Sequence, residues 1–147
     1  MSQSGLVLDA NILISAVLGL RVRPLLHTHS DRIDFFTPAI CLEEARRNLL
    51  GIAERRALIA AELIIEFDKV VRMVQPVWLT DYSRKEASAR ERISRHLNDW
   101  PIVATALLLE CPIWTQDPDF FGCGIATWTT ATVEIYLREA TPMAERQ

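Results

Sequence analysis

The chain alternates short apolar runs with longer segments in which apolar residues recur every three or four positions. Leu6-Val7-Leu8, directly after Gly5, has the pattern of a buried strand. Asn11 to Leu18 predicts a helix with Gly19 as its stop. Ile33 to Thr37 predicts a second strand, and Thr37-Pro38 reads as an N-cap followed by a proline in the first helical position. Ile40, Leu42, Ala45, Leu49 and Leu50 fit one buried face of a helix. A second, long helix is expected from Ile52 to about Val74, ended by Pro76. The run PVWLT leaves strand and loop both open. Thr80-Asp81 is expected to cap a charged helix reaching about His96, and another helix begins near Asn98-Asp99 with Pro101 in its first turn. Ile113-Trp114-Thr115 and Ile125 to Trp128 read as strands, and Thr130 to Ala140 as a closing helix. Strands separated by helices indicate an α/β fold with a mostly parallel sheet covered on both faces. No repeat, low-complexity segment or linker divides residues 1–147, which read as a single domain.

Composition narrows the classes. Half of the 147 residues are hydrophobic and only five are glycine, which suits a compact core. No apolar run reaches the roughly 18 residues of a membrane span, and the first residues lack the basic start of a secretory signal. Cys41, Cys111 and Cys123 are odd in number and form no C-x-x-C pair, so they suggest apolar packing in a reducing cytoplasm.

The chemistry lies in the placement of acids. In open parallel sheets the functional crevice lies beyond the carboxyl ends of the strands. Asp9 immediately follows the first strand; Asp117 and Asp119 follow Ile113-Trp114-Thr115. Asp99 starts the helix that leads into that strand, and Glu43 and Glu44 lie in the helix after Ile33–Thr37. Two carboxylates about 5 Å apart repel by roughly 3 kcal/mol at an effective dielectric near 20, so a convergent set calls for a divalent cation. Oxygen donors without His or Cys suit Mg²⁺ or Mn²⁺ better than zinc. Such a site suggests metal-assisted hydrolysis of a phosphodiester.

The segments LVLDANILIS, TPAICLEEARRNL and NDWPIVATALLLECPIWTQDPDFFGCGIATWTT closely resemble a PIN domain. The resemblance implies a three-layer α/β/α nuclease that uses Mg²⁺ or Mn²⁺ to cut RNA, and in many small members a VapC-type toxin held by an antitoxin. It implies that Asp9, Glu44, Asp99 and Asp117 are catalytic metal ligands, joined by Asp119, and that Asn11 is the polar companion of Asp9. A homodimer is a common state of small PIN domains, and the apolar helices between Ile40 and Val74 would supply its interface. Asn98 stands where many relatives carry another acid, and Trp100 replaces a small residue, narrowing the crevice or packing beneath it.

Each acid also has a plainer reading. Asp9 and Asp99 suit helix caps, Asp117 and Asp119 suit a turn around Pro118, and Glu43 suits an ion pair with Arg47. Thr115, Arg21 and Arg23 are candidates for positioning substrate, the two arginines by gripping a phosphate backbone from the loop after the first helix. His27-x-His29 reads as a solvated loop, the charged run from Arg84 to His96 as a solvated face, and the tryptophans chiefly as core. Neutralising four acids with metal would turn a net charge of −3 into +1, which permits an RNA partner. Two other readings stand beside the ribonuclease: a metal-dependent phosphatase, and a non-catalytic RNA- or antitoxin-binding module on the same fold.

Overall fold

A computed structural model describes residues 4–140. Strands β1 (Ser4–Leu8), β2 (Ile33–Pro38), β3 (Gln75–Val77), β4 (Ile113–Trp114) and β5 (Thr127–Trp128) form one sheet in the order β3-β2-β1-β4-β5. Every pairing is parallel. Eight helices lie among the described residues: α1 (Ala10–Leu18), α2 (Val22–His29), α3 (Ala39–Arg55), α4 (Ala60–Val71), α5 (Leu79–Tyr82), α6 (Glu86–Arg92), α7 (Trp100–Leu109) and α8 (Val133–Glu139). Leu6, Val7 and Leu8 are all inaccessible, so both faces of the central strand are covered. Helices α1, α3 and α4 pack on one another, while α7 packs on β1, β2 and α6. The expected α/β/α layering with a parallel sheet therefore holds.

Strand order fixes where a site can form. The chain runs outward from β1 to β2 and β3, then returns to β1's other edge as β4 and β5. The switch point thus lies between β1 and β4, whose carboxyl ends open a crevice. Gly5 lets β1 sit close to its neighbours, since a Cβ there would come within 2.6 Å of Cys111 Sγ and 2.9 Å of the Phe36 ring. Trp114, Phe35 and Phe120 are the largest fully buried side chains, and the Trp114 indole N–H donates to Thr130 Oγ1 at 3.2 Å.

Several boundaries differ from the sequence expectation. Thr37 does not cap α3. β2 continues through Pro38, which pairs with Val77, and the buried Thr37 hydroxyl donates instead to the Leu8 carbonyl at 2.8 Å. Helix α3 passes through Gly51 to Arg55 and ends where Ala57 adopts φ 53°, so the break to α4 comes later than expected. Residues 22–29 are helical, not loop; with only Val22 and Leu26 buried, α2 offers little apolar periodicity to read. The charged helix is two helices, α5 and α6, joined by a 3₁₀ turn at Ser83–Lys85, and Trp78 rather than Thr80 stands at the start. Trp78 is 59% exposed, against its expected place in the core. The strand after Gly124 is confined to Thr127–Trp128. Among the described residues no helix is long and apolar enough to cross a membrane, and all three cysteines are free.

Candidate active site

Asp9 leaves the end of β1 and caps α1. Its Oδ1 accepts the Ala10 N–H at 2.6 Å, and its Oδ2 accepts the Thr115 hydroxyl at 2.7 Å and the Asn11 amide at 2.9 Å. Thr115 Oγ1 in turn accepts the Asp117 N–H at 3.0 Å, and Asn11 Oδ1 accepts the Gln116 N–H at 3.3 Å. These bonds stitch the ends of β1 and β4 together around a carboxylate that is only 8% exposed. Capping and site-building are thus the same act at Asp9. Thr115 is fully buried, and its hydroxyl is engaged with Asp9 and the Asp117 backbone.

Asp117 begins the 3₁₀ turn Pro118–Phe120 and holds it by accepting the Asp119 N–H at 2.9 Å. Asp99 stands at the N-cap position of α7, yet its carboxylate makes no capping bond, so that plainer reading fails. Glu44 projects from the exposed side of α3. Asp9, Glu44, Asp99 and Asp117 all line one cleft of about 190 Å³, together with Asn11 and Asn48. Glu43 does not line it. Sequence reasoning passed over Asn48, one turn beyond Glu44; a polar residue at i+4 from an acid was the available signal.

The cleft disfavours its own ionisation. Burial pushes the Asp9 carboxyl up, opposed by the Thr115 and Ala10 hydrogen bonds and reinforced by the negative charges of Glu44 and Asp117. Asp99 is pushed up to about 6, first by desolvation, then by Asp117 and Asp9. An oxygen-rich, mutually repelling set of this kind fits a hard divalent cation, which would relieve the repulsion.

Other expected participants lie elsewhere. Asp119 faces a neighbouring groove, where its Oδ2 lies 3.3 Å from His96 Nδ1. His96, Asp99 and Asp119 offer donor atoms all within 4.8 Å of one another, which adds an imidazole nitrogen at the margin of the carboxylates. His96 was read as part of a solvated face; its place three residues before Asp99 was the overlooked signal. Arg23 belongs to α2, not a loop, and its guanidinium is spent on Glu66 Oε2 at 2.6 Å and the Glu66 carbonyl at 2.8 Å. Arg21 precedes α2, is exposed and does not line the cleft. Trp100 neither lines the cleft nor narrows it: its ring lies 5.4 Å from Tyr82 and 5.1 Å from the Arg90 guanidinium.

The sequence profile of the PIN domain matches residues 7–138. The chain belongs to the PIN domain family. No curated protein sequence matches it. Among solved structures, this PIN domain is similar to VapBC2 from Rickettsia felis bound to a promoter DNA fragment, with 12% identity, a TM-score of 0.68, and 85% of this chain and 98% of that chain covered. It is similar to PAE2754 from Pyrobaculum aerophilum at 16% identity and a TM-score of 0.69, covering 92% of this chain and 90% of that one. A toxin–antitoxin complex from Klebsiella pneumoniae gives 20% identity and a TM-score of 0.59, covering 84% and 96%. At these identities the likeness is one of fold. The span matched to the PIN domain runs from β1 into α8 and includes all four acids of the cleft.

Proposed function

We propose that this PIN domain is a divalent-metal-dependent ribonuclease that hydrolyses RNA phosphodiester bonds and acts as the toxin of a VapBC-type pair. The observation that carries the reading is the meeting of Asp9, Glu44, Asp99 and Asp117, from four separate elements, in one cleft at the switch point of the sheet. Binding RNA alone gives no reason to gather anions; holding a cation against a phosphate does. Bound Mg²⁺ or Mn²⁺ would polarise the scissile phosphoryl group and stabilise the charge developing on its oxygens.

The chain's own residues divide the remaining work. Asp9, Asp99 and Asp117 would hold the ion, and Thr115 and Asn11 keep Asp9 in one orientation. Asp99, raised to about 6, carries a proton below that pH and would give it up there to a cation. Glu44 is exposed and outside the Asp9 network, so it is placed to complete the ion's shell or to orient the attacking water. For an antitoxin or a second copy, α3 and α4 present Ile40, Leu50 and Ile65, each between 42% and 56% exposed. The test is cleavage of a panel of structured RNAs with Mg²⁺, with Mn²⁺ and with EDTA, beside Asp9→Asn and Asp99→Asn. Metal-dependent cleavage lost in both variants supports the reading. Equal cleavage by the variants overturns it, and RNA binding indifferent to metal without cleavage favours a binding module.

A further inference from the structure

Beside the acidic cleft lies a second hollow of about 390 Å³, within the range of about 300–1,000 Å³ typical of small-ligand sites. It is lined by Arg92, Arg95 and His96 on one side and by Asp119, Phe121 and Gly122 on the other. The two hollows share a wall, because His96 and Asp119 of the groove and Asp99 of the cleft bring donor atoms within 4.8 Å. Phe120 and Phe121 divide their roles: Phe120 is fully buried and anchors the turn, while Phe121 is 54% exposed on the groove. The far side is held in place by the Arg92 guanidinium, which donates to the Cys123 carbonyl at 3.1 Å. Gly124 adopts φ 86°, a conformation that favours glycine, and a Cβ there would meet that guanidinium. Arg95 is exposed, with no carboxylate paired to it among the described residues.

We propose that this groove binds one unpaired nucleotide next to the scissile phosphate, its base stacked on Phe121 and its phosphate held by Arg95. The inference rests on the nuclease reading and deepens it, assigning Phe121 and Arg95 to a nucleotide subsite beside the acidic cleft. Every base has a face that an aromatic ring can accept, but only after leaving a duplex stack. Asp119, on the shared wall, repels phosphate there and leaves the Arg95 side as the backbone's path.

The test measures binding of a single-stranded RNA hexamer containing 2-aminopurine, and of the same hexamer in a duplex, in EDTA. Wild type, Phe121→Ala, Phe121→Leu and Arg95→Ala are compared. Wild type should prefer the single strand and change the 2-aminopurine fluorescence. Phe121→Ala should abolish that change and weaken binding about five- to a hundredfold, the range for losing one stacked base. Phe121→Leu should keep the fold and still lose the optical signal. Arg95→Ala should weaken binding and lower the salt dependence by about one ion. Unchanged binding in Phe121→Ala and Arg95→Ala overturns the groove, and if Asp99→Asn still abolishes Mg²⁺-dependent cleavage, the nuclease reading survives alone. RNA bound through Phe121 but cut by no form leaves the groove and removes the nuclease. No binding by wild type overturns the groove and leaves the nuclease reading to the Mg²⁺-dependent cleavage assay.

Discussion

The two sides of the acidic cleft are built differently. On the strand side, Asp9, Asn11, Thr115 and the Asp117 backbone form a closed set of hydrogen bonds between the ends of β1 and β4. On the helix side, Glu44 and Asp99 come from α3 and the start of α7, and the Asp99 carboxylate does not serve its helix as a cap. The strand side serves folding and the site together; the helix side concentrates negative charge that the fold does not need. That contrast separates groups whose loss should damage both stability and chemistry from groups whose loss should damage chemistry alone.

The largest expected effect divides the two sides cleanly. Asp99→Asn should lower metal-dependent cleavage by about 10²–10³-fold, the scale of several kcal/mol of metal-assisted charge stabilisation. Its melting temperature without metal at neutral pH should not fall. Asp9→Ala should lose cleavage to a similar extent and also lose about 1–3 kcal/mol of stability, because the α1 cap and two further donors lose their acceptor. A destabilised Asp99→Asn, by thermal melting, would erase the distinction.

Thr115→Val probes the strand side without touching an acid. It leaves the Asp117 N–H without its acceptor and removes a donor from Asp9, for an expected loss of about 1–3 kcal/mol in urea unfolding. Next comes pH. The Asp99 carboxyl, raised to about 6 from 3.8, binds its proton more tightly in the folded chain. Its contribution to stability is therefore full below about pH 4 and is lost as pH rises through about 6; Asp9, raised in the same sense, adds to the trend. Melting curves without metal should show this decline, and Mn²⁺ should reverse it above pH 6. Smallest of all, Arg23→Ala should leave cleavage unchanged, since its guanidinium is occupied by Glu66.

What could be read in advance followed from periodicity and from strand ends. β1, β2 and α7 carry strong apolar signals, and Asp9, Asp99 and Asp117 sit at the ends of such signals. Their meeting follows from a parallel sheet whose strands all finish on one edge. Glu44 was harder, because only the i,i+4 reading of Glu43 with Arg47 separates the two acids on one turn; the resemblance to PIN domains pointed to Glu44, and the helix's rotation brings Glu44 and not Glu43 to the cleft. Helix α2 was missed because its buried side is two residues wide. The hydrogen bonds of Arg23 and Thr115 were illegible for another reason: their partners, Glu66 and Asp9, are distant in sequence, and a lone polar residue does not disclose whether its hydrogen bonds are already taken. His96 became visible only when the turn at Leu97–Asp99 brought it beside Asp119.

The pairing of Val7 with Ile113 has a consequence in time. During synthesis Asp9 emerges early, yet its Thr115 partner and the neighbouring Asp117 are the work of the ribosome's last stretch on this domain. β1 cannot be closed on its second edge until then, and parallel pairing across such a separation is slow to form. The cleft therefore has no existence on a half-made chain. The four acids of the cleft cannot meet until residue 117 has been translated, and a copy truncated before Thr115 carries Asp9 on its first strand without that partner.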